Sequence, residues 1–375
     1  MEKFYDASET LNRGATPLPG SYYRSESHFQ TEIERIFFEQ WVYVGRAEQI
    51  PNPGDYFLQP LGGESLIIVR DLAGQVRAHY NVCRHRGTRL CTAETGHFNK
   101  SIQCPYHAWT YGLDGRLIGA PHMTEVAGFA KQDFPLHSLT VEVWEGFLFI
   151  NLSPHPQPFQ QSFAPLLDKF TAWNMSELRA AARIEYEVAA NWKLIVENYS
   201  ECYHCPLIHP ELSARSDYLS GRNDLYEGNF LGGFMNVRAE NHSMSMSGAT
   251  SGKVLGQVSG EDLNRVYYYS IFPNMLLSLH PDYVMAHRLL PHQAGQTTVI
   301  CEWFFDSEAM SQPDFNPNDA VEFWDITNRQ DWQVCELSQL GVSSRAYTPG
   351  LYSEREGLPA AFTQEVRRVM AVGSD

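Results

Sequence analysis

Two short cysteine–histidine pairs constrain this 375-residue chain more than any other feature. They are Cys83-Arg84-His85 and Cys104-Pro105-Tyr106-His107, with 18 residues between them. Both fall between Asp55 and about Leu152, where short β-rich runs alternate with Gly-bearing turns, as in Leu66–Arg70 and Gly146–Asn151. Two loops of a small all-β domain can bring four such side chains to one point. Two thiolates and two neutral imidazoles suit tetrahedral zinc. They equally suit a [2Fe–2S] centre with both cysteines on one iron and both histidines on the other. Exchanging thiolates for imidazoles makes such a cluster less negative and raises its potential, so that ordinary ferredoxins can reduce it. Spacing alone leaves both metals open.

Composition narrows the partners. A formal net charge of −16 argues against nucleic acid, because phosphate binding needs lysine and arginine to displace counterions. It argues equally against an anionic membrane surface. The start, Met-Glu-Lys-Phe-Tyr-Asp, lacks the basic and apolar stretches of a signal peptide, and no apolar run approaches the roughly 18 residues of a membrane span. A cytoplasmic protein is expected. In a reducing compartment its seven cysteines favour metal binding or catalysis over disulfides.

The pattern along the chain predicts a helix over Thr31–Trp41, with Thr31 and Glu34 as a capping box. Pro154-His-Pro-Gln-Pro158 breaks the β-rich region and marks a boundary. Beyond it a mixed α+β region is expected: helices near Phe159–Trp173, Asn191–Cys205 and Ala320–Leu340, and strands near Arg183–Val188 and across Arg265–Phe305. Residues 212–262, rich in Gly, Ser, Asn and Met, read as a long irregular segment, either an entrance to a site or a surface loop.

The second chemical constellation is Glu197-Asn-Tyr-Ser-Glu-Cys-Tyr-His-Cys-Pro-Leu-Ile-His209. His204 and His209 are five residues apart, which on an ideal helix separates them by about 140°. They can share a metal only if the helix ends or bulges between them, and Pro206 supplies the reason for a break. Two neutral histidines and a carboxylate form the facial triad of non-haem Fe(II) oxygenases, which leaves positions open for oxygen. An H-x₄-H pair alone is weak evidence. An electron-transfer cluster in the same chain strengthens it, because the electrons need a destination.

Both stretches resemble one family. Asn81-Val-Cys-Arg-His-Arg-Gly-Thr-Arg-Leu-Cys91 with Cys104-Pro-Tyr-His-Ala-Trp109 resembles the Rieske motif of bacterial Rieske non-haem iron oxygenases, the ring-hydroxylating oxygenase α-subunits. The interval is about a residue longer than usual, around Gly96–Asn99. Cys91 sits at the wrong offset for the loop disulfide of respiratory Rieske proteins and reads as a buried thiol. The Glu197–His209 stretch resembles the family's iron-ligand segment, nearest to the carnitine and glycine-betaine oxygenase branch. The resemblance implies a [2Fe–2S] cluster on Cys83, His85, Cys104 and His107, and a mononuclear Fe(II) on His204, His209 and a distant carboxylate. Asn328-Arg-Gln-Asp-Trp-Gln-Val-Cys-Glu336 is similar to the family's C-terminal helix and implies Asp331 as third ligand, with Asp325 and Glu336 as competing choices. Glu201 falls where relatives carry the acidic residue that links the cluster of one subunit to the iron of its neighbour. Asn198 matches an asparagine near the iron.

The implied fold is α+β: an N-terminal helical segment (1–45), an all-β Rieske domain (46–155), and a catalytic domain (156–375) with an antiparallel sheet and helices, helix-grip-like. The implied function is that of a terminal oxygenase. It would use O2 and NADH-derived electrons, delivered by a separate reductase alone or with a ferredoxin, on a small organic substrate, and it would work as a homotrimer. Monooxygenation with oxidative N- or O-demethylation of a methylated amine is the leading expectation, and aromatic ring hydroxylation the alternative. An aromatic site for a quaternary ammonium could draw on Tyr267, Tyr268, Tyr269, Trp303 and Phe305, although strand alternation points only some of these inward and the others would be plain sheet core. From other classes, a pure electron carrier would explain the first constellation but leave over 200 residues and His204 and His209 without a role, and a zinc-stabilised binding protein is the third reading.

Overall fold

The computed structural model describes residues 3–250 and 252–371. The first two residues of the N-terminal reading, and residue 251 within the segment expected to be irregular, lie outside them. The chain divides into two compact units, Phe37–Ser162, and Met1–Ile36 with Phe163–Asp375. Among the described residues no helix is long and apolar enough to cross a membrane.

The unit Phe37–Ser162 is built from ten strands: β1 (Val42–Arg46), β2 (Asp55–Leu61), β3 (Glu64–Arg70), β4 (Val76–Tyr80), β5 (Thr95–His97), β6 (Ser101–Gln103), β7 (Thr110–Gly112), β8 (Leu117–Gly119), β9 (Ser138–Trp144) and β10 (Phe147–Asn151). Seven form one sheet in the order β1-β10-β9-β4-β3-β2-β5, and β6-β7-β8 form a small second sheet. Their apolar residues meet in a core of Ile67, Val69, Leu90, Ile102, Trp109 and Tyr111 that also encloses Cys83 and Cys104.

The second unit carries a seven-stranded antiparallel sheet, ordered β11-β17-β16-β15-β14-β13-β12. Its strands are β11 (Leu178–Val188), β12 (Ser216–Glu227), β13 (Phe230–Val237), β14 (Arg265–Ile271), β15 (Met275–Leu279), β16 (Val284–Gln293) and β17 (Gln296–Asp306). The helices Trp192–Tyr199 and Asn318–Val342 cover one face. Tyr186 of β11 donates to Asp325 (2.8 Å), His287 of β16 bonds Asn328 (3.1 Å), and the Tyr199 hydroxyl meets Leu277 O and Ser278 Oγ at 2.9 Å each.

Three local expectations are corrected. The N-terminal helix is Glu26–Glu32, capped by Ser25 accepting from the His28 amide, and it runs on as a π-turn over Ile33–Phe37. Thr31 bonds back to Ser27 O instead of capping. The expected helix over Phe159–Trp173 is one turn, Phe159–Ser162, followed by irregular chain and a 3-10 turn at Thr171–Trp173. Much of residues 212–262 is strand, since β12 and β13 pair there; glycines allow this pairing, and a Cβ on Gly233 would collide with the Arg222 carbonyl.

One buried ion pair ties the N-terminal helix to the helix that leads into the site. Lys193 Nζ lies 2.6 Å from Glu32 Oε1, both side chains fully buried, and Trp192 Nε1 donates to Glu32 Oε2 at 2.9 Å. Breaking such a pair strands a charge in low dielectric. Lys193→Met should therefore lose roughly 3–5 kcal/mol of unfolding free energy in denaturant titration. Glu32→Gln/Lys193→Met should recover more than half of that. A single variant within about 1 kcal/mol of wild type would contradict this role.

Candidate functional site

Each cysteine–histidine pair sits on its own tight turn. The Cys83 amide donates to Thr88 O and the Gly87 amide to Cys83 O; in the other loop Cys104 N bonds Trp109 O and Ala108 N bonds Cys104 O. Gly87 and Ala108 take positive φ values of 73° and 57°, which close the two turns. Asn81 ties the first loop across its neck. Its Oδ1 accepts from the amides of Leu90 (2.9 Å) and Cys91 (3.1 Å), and its Nδ2 donates to Cys91 O (2.7 Å). Cys91 is a free, half-buried thiol, more open than expected.

The four predicted residues come together. Cys83 and Cys104 are buried free thiols, and the His85 and His107 rings lie 4.8 Å apart, centroid to centroid. His85 stacks on Trp109 at 4.8 Å and 8°. Burial pushes the Cys83 thiol up, against a lowering hydrogen bond with the Tyr111 hydroxyl at 3.3 Å. The Nδ1 atoms of His85 and His107 are buried without a partner. Buried, unsatisfied ring nitrogens are costly unless something binds them. Two such nitrogens beside two buried thiols fit a cluster ligated by Cys₂ and His₂. The cysteines lie inside while the histidines and Tyr106 face outward, so the imidazole end is nearer solvent.

The second site is assembled by helix ends. Asn191 caps the helix Trp192–Tyr199, accepting from the Lys193 amide, and this helix stops at Ser200, whose Oγ meets Ser270 Oγ of β14 (3.0 Å). A one-turn helix, Cys205–Ile208, then starts with Pro206 in its first turn, where the missing N–H is harmless. His204 precedes that turn and His209 follows it. This is the break that the five-residue spacing required.

The third partner arrives from the helix Asn318–Val342. Asp331 Oδ1 lies 2.9 Å from His209 Nε2 and 3.3 Å from His204 Nε2, and the two Nε2 atoms are 3.1 Å apart. Adjacent donors at about 2.1 Å from an octahedral ion are about 3.0 Å apart, so this triangle fits one face of such an ion. The competing carboxylates are spent elsewhere: Asp325 on Tyr186 and Arg329, and Glu336 on the Ala189 amide. Cys205 Sγ also approaches both imidazoles within 4.8 Å, but it is joined to Cys202 in a disulfide and offers no thiolate. That disulfide departs from the expectation of free cysteines.

Hydrogen bonds orient both rings. His204 Nδ1–H donates to Glu201 Oε1 (2.6 Å) and His209 Nδ1–H to Gln330 Oε1 (2.7 Å), which turns both Nε2 atoms toward Asp331. Glu201 Oε2 accepts from the amides of Tyr203 and His204. Burial opposes a charged His204, but hydrogen bonds with Asp331 and Glu201 outweigh it and push its pKa up to about 10. Burial would raise the Asp331 pKa, but bonds from His204 and His209 hold it below the usual carboxylate range.

A cavity of about 140 Å³ opens onto this triad. Its wall includes Asn198, Glu201, His204 and Asp331, together with Tyr199, Tyr268 and Trp324. Of the five aromatics considered from sequence, Tyr268 alone lines it. Its neighbours on β14 point to the other face of the sheet, Tyr267 against Trp173 and Tyr269 against Phe170. Trp303 and Phe305 are fully buried in the sheet. Sequence reading missed Gln330, Tyr199 and Trp324. Gln330 is the residue before Asp331, and a metal histidine's need for a partner on its second nitrogen was the available signal.

Comparison with known proteins identifies both regions of the chain. Residues 40–130 match the Rieske [2Fe-2S] domain, and residues 175–372 the catalytic domain of ring-hydroxylating alpha subunits. The chain belongs to the Rieske non-haem iron oxygenase family, whose members are oxidoreductases carrying a [2Fe–2S] cluster and a mononuclear iron. It is 32% identical over 367 residues to the glycine betaine monooxygenase oxygenase subunit of Pseudomonas aeruginosa strain UCBPP-PA14, covering 90% of this chain and 85% of that protein. It is 29% identical over 342 residues to the carnitine monooxygenase oxygenase subunit of Escherichia coli strain K12, covering 89% and 86%. Among solved structures, the quaternary ammonium Rieske monooxygenase CntA with γ-butyrobetaine superposes with a TM-score of 0.79 at 26% identity, covering 98% of this chain and 99% of that one.

Gln330 provides a test of the ring-orienting bonds. Gln330→Leu should weaken Fe(II) binding by roughly 10- to 100-fold in anaerobic titration, while the visible spectrum of the cluster stays unchanged. Unchanged Fe(II) affinity would show that His209 needs no such partner.

Proposed function

We propose that this chain is the oxygenase component that removes an N-methyl group from a small quaternary or methylated amine by monooxygenation. The observation that carries the reading is the cavity that joins the His204–His209–Asp331 triangle to the rings of Tyr199, Tyr268 and Trp324. Aromatic faces attract a methylated ammonium through their quadrupoles, and more strongly where water is excluded. The relatives named for glycine betaine and carnitine, both methylated ammonium compounds, support the same substrate class.

In this reading Cys83, His85, Cys104 and His107 hold the [2Fe–2S] cluster, and His204, His209 and Asp331 hold the mononuclear iron. When bound, the cluster delivers single electrons and the iron activates O2. The protein's own groups do the rest. Glu201 and Gln330 fix the two imidazoles so that each presents Nε2. Asn198 and the aromatic wall hold an N-methyl group at the open side of the triangle. One C–H bond of that methyl becomes C–OH with one atom of O2, while the other atom leaves as water with two electrons and two protons; the C–N bond then breaks, nitrogen keeps its electron pair, and the hydroxyl loses its proton as formaldehyde departs. The electrons come from NADH through a separate reductase, alone or with a ferredoxin, in the cytoplasm. A homotrimer would let Glu201 link the iron histidine to a cluster histidine of a neighbouring subunit.

The test is a substrate screen with a generic NADH-dependent reductase, scoring formaldehyde. Methylated ammonium compounds should release about one formaldehyde per NADH oxidised. Phenols or diols from aromatic substrates, with no formaldehyde from any amine, would overturn the reading. Glu201→Gln should retain both metals yet slow turnover by at least about tenfold. Wild-type turnover would remove the linking role.

A further inference from the structure

The Cys202–Cys205 disulfide takes no part in the ligand triangle or the aromatic wall. It closes a ring around Tyr203 and His204, the two residues between its cysteines. Glu201 Oε2 accepts from the two amides inside that ring. Both cysteines line the cavity. Cys205 is 3% exposed and Cys202 is half-buried, so the Cys202 sulfur is the one open to an attacking thiol.

The backbone holds Cys205 beside the histidines without help from the S–S bond. Its carbonyl accepts from the His209 amide (2.9 Å) and from Ser213 Oγ (3.2 Å). One donor atom from each of His204, Cys205 and His209 lies within 4.8 Å of the other two. Tetrahedral zinc, with Zn–S about 2.3 Å and Zn–N about 2.1 Å, places sulfur about 3.6 Å from nitrogen. A Cys205 sulfur freed from Cys202 thus has about 1 Å to travel by rotation of its side chain.

The state of the disulfide decides which donors the site offers. Oxidised, Cys205 has no thiolate, and the site presents two imidazoles and a carboxylate, the set that suits iron with an open face. A thiolate is softer, favours zinc, and fills a position that oxygen needs. In a reducing compartment a disulfide is characteristically transient or redox-sensing.

We infer that the Cys202–Cys205 pair is a redox gate on metal choice. Oxidised, it withholds Cys205 and leaves the triad to Fe(II). Reduced, it releases Cys205 as a further ligand beside His204 and His209 and shifts the preference of the site toward zinc. The reductant is a dithiol. One of its thiolates attacks Cys202 Sγ, the S–S bond breaks, and Cys205 Sγ leaves with the electron pair. The second thiol of the reductant displaces Cys202, so two protein thiols form and the dithiol becomes a disulfide. Zinc then replaces the Cys205 thiol proton, which passes to solvent. The gate rests on the triad as the mononuclear metal site and not on the identity of the substrate.

The experiment uses cluster-loaded protein under argon, reduced with tris(2-carboxyethyl)phosphine or oxidised with glutathione disulfide, then desalted. The reduced form should carry about two more thiols per chain. Zinc and Fe(II) are each titrated in competition with a chelator. Reduction should raise the zinc-to-Fe(II) affinity ratio of wild type by at least about tenfold, with acid-labile sulfide unchanged. X-ray absorption at the zinc edge should show one sulfur at about 2.3 Å in the reduced form and none in the oxidised form. Cys202→Ser, which leaves Cys205 permanently free, should show the high ratio and the sulfur without reductant. Cys205→Ser should show the low ratio after either treatment. An equal ratio in both wild-type states with no sulfur on zinc, or no change in thiol count, would overturn the gate and leave the triad standing. A protein that binds neither Fe(II) nor zinc at this site in either state would remove the triad as a metal site and the gate with it.

Discussion

Three donor atoms, His204 Nε2, His209 Nε2 and Asp331 Oδ1, meet within 2.9–3.3 Å of one another, and much of the second unit exists to hold them there. Such a triangle is unfavourable by itself. Two imidazole nitrogens face each other beside a buried carboxylate, and only a shared proton or a cation can satisfy them. The fold opposes their separation from several sides. The buried Lys193–Glu32 pair anchors the helix that delivers Glu201, Tyr199 and Ser200 bond that helix to the sheet, and Asn328 and Asp325 fasten the Asp331 helix to β16 and β11. These bonds hold the three donor atoms together.

The other unit solves a related problem with different means. Its strands are short, and the two loops that carry the cysteine–histidine pairs are closed by backbone bonds and by Asn81. Two buried thiols and two buried ring nitrogens are the residue of that design, and the ring nitrogens have no partner within the protein. The thiols face the core and the imidazoles face outward, a polarity suited to passing electrons through the histidine end.

Legibility in the sequence followed how local each feature is. The first constellation could be read directly as a metal site, because each cysteine–histidine pair sits within four residues, and the flanking motif was needed to choose a [2Fe–2S] cluster over zinc. His204 and His209 were readable as a pair, with Pro206 giving the reason for the break. Asp331 was not readable from spacing, since 122 residues separate it from His209, and only family resemblance singled it out over Asp325 and Glu336. Strands β12 and β13 were hidden by their composition: glycines needed for close backbone approach and polar residues lining a cavity look like a loop. The Tyr267–Tyr269 run showed the limit of alternation, which says that neighbours face opposite ways but not which one faces the site.

The central claim is that one chain holds two separate iron centres, one in each unit. Anaerobic analysis of iron, zinc and acid-labile sulfide in the wild type and in His204→Ala tests it most directly. The account predicts about three irons and two sulfides per wild-type chain. His204→Ala should fall to about two irons with sulfide and visible colour unchanged. Zinc without sulfide, or a wild type with two irons that His204→Ala does not alter, would contradict it.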